Sequence, residues 1–298
     1  MEAHKDEHTI VKMCEVLNVS KAGFFKWRGR RDSEDTEREI FNKFLDERIR
    51  FHFYDNLGTY GSPRIHKKLL KVDGIVVSEK TVANRMKTAG LYAMHTKKYI
   101  STTDSTHDLH YYENVLNQNF YPEEPNKVWV TDITYIQTGE GFVYLNPVID
   151  LFSRRVISFT IGDRMDRNLP LNALRKALEI RMPEPGWIHH SDRGSQYCSK
   201  DNIAELEAAQ STISMSHKGN PYDNACVESF FASLKKEYLY RFTFKTKAEA
   251  MSAVAFYIQF YNKKRIHSTL GYVSPEEYEK AYSKEQKLYA NESIIPSA

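Results

Sequence analysis

Three acidic residues stand where an acid contributes little to folding. Asp132 interrupts a run of sheet-forming residues, Val128, Val130, Ile133, Tyr135 and Ile136, although aspartate is depleted in strands. Asp192 follows Trp187-Ile188-His189-His190-Ser191 and precedes Arg193-Gly194. That puts it at the carboxyl end of a short strand, where open α/β sheets build their sites. Glu228 comes after a gap of 35 residues, inside a helix opened by Pro221. At about 100° per residue, Val227, Phe230, Phe231, Leu234 and Tyr238 form one apolar side of that helix, and Asn224, Glu228 and Lys235 form a strip at its rim.

Three carboxylates brought together raise one another's pKa unless a cation neutralises them. An all-oxygen donor set, without paired Cys or His, points to Mg²⁺, with Mn²⁺ as a substitute. Two such ions about 3.5–4 Å apart can bind the attacking and the leaving oxygen of an in-line phosphoryl displacement, which requires no protein nucleophile. Each acid also has an ordinary reading. Asp132 fits a strand-end partner of an arginine, Asp192 an Asx turn before Gly194, and Glu228 an exposed helix acid. It is the order strand, strand end, helix that favours a joint site.

The elements that must position these acids can be read from periodicity. The chain has 298 residues, 42 basic and 39 acidic, with 41% hydrophobic residues, a composition that excludes disorder, collagen-like repeats and a disulfide scaffold. Its three cysteines, Cys14, Cys198 and Cys226, are far apart and outside any C-x-x-C arrangement, so a reducing cytoplasm is expected and a structural zinc site is not. The charged start and the lack of a long apolar run support neither export nor membrane spanning.

Five regions are expected. Residues 1–55 form a helical, helix-turn-helix-like region: two short helices over Thr9 to Trp27 with Ser20 as a cap, then a longer helix bearing Ile40, Phe41, Phe44, Leu45 and Ile49. Residues 56–99 form a basic helix-turn-helix, with Ser62 as N-cap, Pro63 in the first turn, Asp73-Gly74 as a stop and Ser78 as the second cap. Nine basic side chains against two acidic ones between Asn56 and Ile100, beside a balanced 22 and 22 from Tyr121 onward, suggest a polyanion held by one module and processed by another. A solvated helical bundle fits the same pattern. Residues 100–124 read as a linker, 125–281 as an α/β core with C-terminal helices, and 282–298 as a tail. In the core, runs at 128–137, 142–151 and 155–161 predict three adjacent antiparallel strands; helices from about Asn168 and Asp201 then alternate with short strands near Trp187 and Ser211. The result is a mixed five-stranded sheet flanked by helices.

Several quoted segments together resemble a known family. They are Trp129-Val130-Thr131-Asp132-Ile133-Thr134-Tyr135, His190-Ser191-Asp192-Arg193-Gly194-Ser195-Gln196-Tyr197, Asn220-Pro221-Tyr222-Asp223-Asn224-Ala225-Cys226-Val227-Glu228-Ser229-Phe230-Phe231, Leu234-Lys235 with Glu237, and Tyr261-Asn262-Lys263-Lys264-Arg265-Ile266-His267-Ser268-Thr269-Leu270-Gly271-Tyr272. The chain resembles the DDE transposases of bacterial insertion sequences, specifically the catalytic OrfB product of insertion-sequence family three, over nearly its whole length. The resemblance implies a ribonuclease-H-like, integrase-like core with Asp132, Asp192 and Glu228 as catalytic ligands of two Mg²⁺ ions. It implies cleavage at terminal inverted repeats to free a 3′-OH, then attack of that 3′-OH on another phosphodiester. It also implies DNA and a second copy of the chain as partners, with an upstream OrfA product, in a bacterial cytoplasm at the nucleoid.

Weaker candidates for DNA contact are Arg64, Lys67, Lys68, Lys80, Arg85 and Lys87 in the basic module, Asn224 and Lys235 beside Glu228, and a basic tail of Lys263, Lys264, Arg265 and His267. For His189 and His190 hydrogen-bonded structural roles are preferred to metal ligation, and Arg193 fits either a site role or an ion pair. Two other functions compete: a non-catalytic DNA-binding regulator, and a nuclease acting on RNA–DNA hybrids. The extra helical modules favour transposition.

Overall fold

The computed structural model describes residues 1–31, 33–94, 110–217 and 220–292. The chain divides into two compact units, Met1–Phe51 and His52–Ala298. In the first, α1 (Ile10–Val16) is capped by Thr9, whose side chain accepts from Lys12 N. Asn18 turns with φ of 51°, a left-handed conformation that asparagine tolerates, and α2 (Lys21–Arg31) follows. Met13, Cys14 and Phe24 are buried. The long helix α3 (Glu37–Asp55) buries Leu45 and Ile49 of its expected apolar set, whereas Ile40, Phe41 and Phe44 are exposed.

The second unit is built on one mixed sheet of six strands: β1 (Val128–Thr131), β2 (Thr134–Thr138), β3 (Gly141–Asp150), β4 (Val156–Gly162), β5 (Ile188–Ser191) and β6 (Thr212–Met215). Five had been expected. The extra strand arises because Asp132-Ile133 breaks the first run, so that β1 and β2 pair separately with the long β3, both antiparallel. β4 pairs antiparallel with β3, while β5 runs parallel to β1 and β6 parallel to β5.

Helices cover the sheet. Residues of α6 (Asn168–Arg181) and α7 (Lys200–Ala208) bury Ala173, Leu174, Ala177 and Leu206 with Trp129, Val148 and Trp187. A larger cluster joins Val130, Ile136, Val143 and Leu145 to α8 (Ala225–Glu237) and α9 (Lys247–Lys263) through Val227, Phe230, Leu234, Val254 and Tyr257. Burying a Leu- or Phe-sized side chain is worth roughly 1.5–3 kcal/mol, so these two layers hold β1 and β5 in place. The start of α8 differs from expectation: Asn220 caps, with Pro221–Asn224 forming a 3-10 turn before the α-helix. Lys218 and Gly219, just before Asn220, lie outside the described residues.

The basic helices belong to this second unit. α4 (Ser62–Asp73) is preceded by Gly61 as its N-cap, one residue before the expected Ser62, and ends on Gly74 in the left-handed region. α5 (Glu79–Thr88) is capped by Ser78 as expected and buries Val82 and Met86. Tyr60, fully buried, donates its hydroxyl to Lys264 O at 3.3 Å and accepts from Ile266 N at 2.8 Å. Lys71 Nζ donates to Gly271 O at 2.7 Å, and Arg241 Nη1 to Leu57 O at 2.6 Å. The segment after α9 is therefore a seat for the basic helices. It leads into α10 (Pro275–Glu292), which runs through most of the expected tail. Lys97, Lys98 and the first part of the expected linker lie outside the described residues.

Candidate active site

Asp132 and Asp192 share one end of two neighbouring parallel strands. Val130 of β1 is paired with His190 of β5, and each aspartate comes two residues later. A parallel ladder keeps equivalent positions level, so both carboxylates emerge at the same edge. Asn224, at the N-cap of α8, donates its amide to Thr131 O at 3.3 Å. This fastens the start of α8 to the end of β1, and Glu228 follows one turn further along. Val227, Phe230, Phe231 and Leu234 are buried while Glu228 is half-buried, which is the rim position the wheel predicts.

Burial and neighbouring negative charge shape the electrostatics at Asp132. Burial, then the charge of Asp192, and further the charge of Glu228, push the Asp132 carboxyl well above the ordinary carboxylate range; the Ile133 N–H and Lys235 only partly oppose this. Burial raises Glu228 as well. Asp132 Oδ1 accepts from Ile133 N at 2.7 Å, and Asp192 Oδ1 from Gly194 N at 2.9 Å, so the Asx-type turn does form at Asp192. A side chain at Gly194 would come within 3.0 Å of that same Oδ1, which explains the glycine. The donor set is all oxygen, hard and over-charged, and fits a divalent cation such as Mg²⁺. Among the described residues no three His, Cys, Asp or Glu side chains stand together closely enough to hold a metal ion.

Beneath the acids lies a buried polar layer that periodicity did not single out. Tyr197 OH donates to Asn146 Oδ1 at 3.0 Å, and Asn146 Nδ2 donates to Thr131 Oγ1, next to Asp132. Burial, then Asp132 and Asp192, hold the Tyr197 phenol far above its usual range, so it stays a neutral donor under the negative charges. The available signal was an asparagine inside a strand that is otherwise apolar. A second layer centres on Asp223, which accepts from Gln118, Asn220 and His217. Those hydrogen bonds overcome its burial and lower its pKa. His190 is hydrogen-bonded to Ser214 at 2.8 Å and Ser216 at 3.1 Å, and burial depresses it to about 4 and His189 to about 3, in agreement with structural roles. Arg193 Nε donates to Ser216 O at 2.8 Å, its guanidinium 5.0 Å from the Tyr111 ring centroid.

The DNA-contact candidates separate into three groups. Lys235 lies at the site: its ammonium is 5.3 Å from the Tyr135 ring centroid, and burial lowers its pKa against the opposing pull of Asp132. Lys80, Lys87, Lys263 and Lys264 are exposed, with Lys264 bonded to Asp55 at 2.7 Å, and Lys68 and Arg85 are half-exposed. The rest face inward. Arg64 Nη1 is 3.5 Å from Glu237, and Lys67 lies over the Tyr272 ring. Arg265 corrects the expectation of one basic tail. It is 6% exposed and gives Nε and Nη2 to Glu237 at 2.8 and 2.7 Å. His267 is half-buried beside it, and burial and Arg265 push it down to about 2.

Comparison with known proteins agrees with this organisation. The integrase core domain family matches residues 122–221, a second integrase core domain family 209–275, and an HTH-like domain family 41–99. The transposase InsF for insertion sequence IS3A of Escherichia coli (strain K12) is 41% identical over 281 residues, 94% of this chain and 96% of that protein. The insertion element IS600 uncharacterized 31 kDa protein of Shigella sonnei is 39% identical, covering 91% of this chain and 98% of that one. Among solved structures, the simian T-cell lymphotropic virus intasome in complex with PP2A regulatory subunit B56 gamma aligns over 74% of this chain and 70% of that one, at 16% identity and a TM-score of 0.43. The HTLV-2 integrase catalytic core domain in complex with magnesium aligns over 51% and 95%, at 15% identity and a TM-score of 0.41. On the strength of the full-length relationship to InsF, joined to the integrase core and HTH-like matches, the chain belongs to the IS3 family of insertion-sequence transposases, DDE-type polynucleotidyl transferases.

Proposed function

We propose that this transposase cleaves the terminal inverted repeats of its element and joins the freed ends to target DNA at a site formed by Asp132, Asp192 and Glu228. The observation that carries the reading is the raised Asp132 carboxyl, surrounded by the charges of Asp192 and Glu228 at the shared edge of β1 and β5. Such an arrangement costs folding energy and is relieved by a divalent cation. Mg²⁺ held by these carboxylates, with Mn²⁺ as a substitute, would polarise the scissile phosphate and lower the pKa of the attacking hydroxyl.

The chain's own residues have defined tasks in this reading. Asn224 ties α8 to Thr131 and so sets the distance from Glu228 to Asp132; its Oδ1, buried without a hydrogen-bond partner, is free to accept from a group entering the site. Tyr197 and Asn146 stiffen the end of β1 from below. Lys235 places a cation beside Asp132 and is suited to a DNA phosphate. In the basic module, α4 is committed to the seat through Arg64 and Lys71, and the exposed Lys80 and Lys87 of α5 are the residues proposed to approach DNA, with Arg85 beside them. A second copy is required because two ends are joined, and the upstream OrfA product is the proposed further partner.

Incubating the chain with labelled terminal-repeat DNA, in Mg²⁺ and then in EDTA, tests the reaction. Strand nicking at the element end only in Mg²⁺ is the expected result. Salt titration on terminal-repeat and scrambled duplexes should give tighter binding to the former at every salt concentration. Binding without nicking in either condition would favour the regulator, and cleavage of scrambled RNA–DNA hybrids would favour the nuclease.

A further inference from the structure

Beside the carboxylates the sheet ends in the β2–β3 hairpin, whose outer side is aromatic. In β2 Thr134, Ile136 and Thr138 are buried, while Tyr135 and Gln137 point the other way. The register pairs Tyr135 with Tyr144 and Gln137 with Phe142, so the three rings share one face. Tyr135 and Phe142 meet edge to face with centroids 5.3 Å apart, and Phe142 and Tyr144 are 6.5 Å apart. Phe142 is 43% exposed.

Three features connect this face to the site. Tyr135 lies three residues after Asp132, about 10 Å along an extended chain. Lys235 places its ammonium over the Tyr135 ring while feeling the charge of Asp132, so one cation bridges ring and carboxylates. The tip of the hairpin is also held in place. Gly139 N donates to Phe244 O at 3.0 Å, Lys247 N donates to Glu140 Oε2 at 2.8 Å, and a side chain at Gly139 would come within 2.6 Å of Lys245 O.

A partly exposed aromatic cluster on a fixed support, Phe142 being its most open ring, with a cation between it and a phosphoryl-transfer site, matches the elements that bind single-stranded nucleic acid: a π-face for the base and a positive charge for the backbone. We propose that the Tyr135–Phe142 face is a stacking platform for the one or two unpaired nucleotides that flank the scissile phosphate, with Lys235 holding the phosphate between rings and carboxylates. Stacked bases inside a duplex offer no free face, so the duplex opens at the element end when it enters the site. This rests on the catalytic reading of Asp132, Asp192 and Glu228 for where the scissile phosphate lies.

The test needs no catalysis. Fluorescently labelled oligothymidylate, in EDTA, should bind the full chain about tenfold or more tightly than it binds the Tyr135→Ser/Phe142→Ser double variant. The Tyr135→Trp/Phe142→Trp variant should retain the affinity. With 2-aminopurine as the first flanking nucleotide of terminal-repeat DNA, fluorescence should be quenched on the wild-type and Trp chains and restored on the Ser variant. Equal oligothymidylate affinity for the wild-type and Ser chains would overturn the platform. So would an unchanged affinity accompanied by a shift in sedimentation, which would mark the face as a contact between copies. Because cleavage is absent from these measurements, failure of the metal-site reading would show in the nicking assay and not here.

Discussion

Helix α8 carries two glutamates nine residues apart with opposite surroundings. Glu237 is buried and saturated: it accepts from Tyr257 OH at 2.8 Å and from Arg265 at 2.8 and 2.7 Å, with Arg64 at 3.5 Å. Burial would raise its pKa, but the Arg265 hydrogen bonds and charge win and lower it. Glu228 has no such partner among the described residues and is raised by burial. The first ties α8 and α9 to the seat of the basic helices. The second stands with Asp132 and Asp192, where burial and like charge raise the Asp132 carboxyl. One helix thus joins a region optimised for stability to the proposed catalytic site, and ion pairing separates Glu237 from Glu228.

The largest expected contrast is in activity. Glu228→Gln should lower end cleavage by on the order of 10³ while leaving the melting temperature unchanged or higher, as followed by gel assay and circular dichroism. Next comes stability. Glu237→Gln leaves Arg265 buried without its counter-charge and should cost about 3–5 kcal/mol in chemical denaturation; a loss below 1 kcal/mol would mean that the cluster is dispensable. Asp132→Asn should move the other way, gaining about 0.5–2 kcal/mol at neutral pH. The sign follows from its raised carboxyl: a group whose folded pKa exceeds its unfolded value stabilises only when protonated, and that contribution is lost as pH rises.

His267 offers a smaller, pH-dependent contrast on the stable side. Its folded pKa of about 2 lies below the ordinary 6.5, so the unfolded chain takes up a proton that the folded chain refuses. The stability it contributes is complete above pH 6.5 and is lost as pH falls towards 2, at up to about 1.4 kcal/mol per pH unit. Denaturation at pH 7 and pH 5 should show a smaller drop for His267→Gln than for wild type. On the same stable side, Tyr60→Phe removes the hydroxyl shared by Lys264 O and Ile266 N and should cost about 1–3 kcal/mol, mainly by stranding the Ile266 N–H.

What could be read from the sequence followed the range of each signal. Periodicity and capping are local, and they placed β3 to β6 and the starts of α5, α6 and α7 within a residue or two. The anomaly of an acid in a strand, at a strand end and at a helix rim likewise drew attention to Asp132, Asp192 and Glu228. The same Asp132 hid one strand, because a two-residue break is invisible to an alternation pattern that resumes after it. Arg265 was misread as part of a solvated tail because its partner Glu237 lies 28 residues away. Nothing in the Lys263-Lys264-Arg265 run reveals that its last member turns inward. Tyr197 and Asn146 were missed for the same reason: a polar network under a site is assembled by the sheet, not by spacing along the chain.

The central claim, that Asp132, Asp192 and Glu228 form the catalytic site and the ion-paired Glu237 does not, is tested most directly by one assay. Asp132→Asn, Asp192→Asn and Glu228→Gln, each checked for native circular dichroism and for retained binding to terminal-repeat duplex, would be incubated with that DNA and Mg²⁺ beside the wild-type chain. All three should bind the DNA and fail to nick or join it. Strand transfer at the wild-type rate by any one of them would remove that residue from the site.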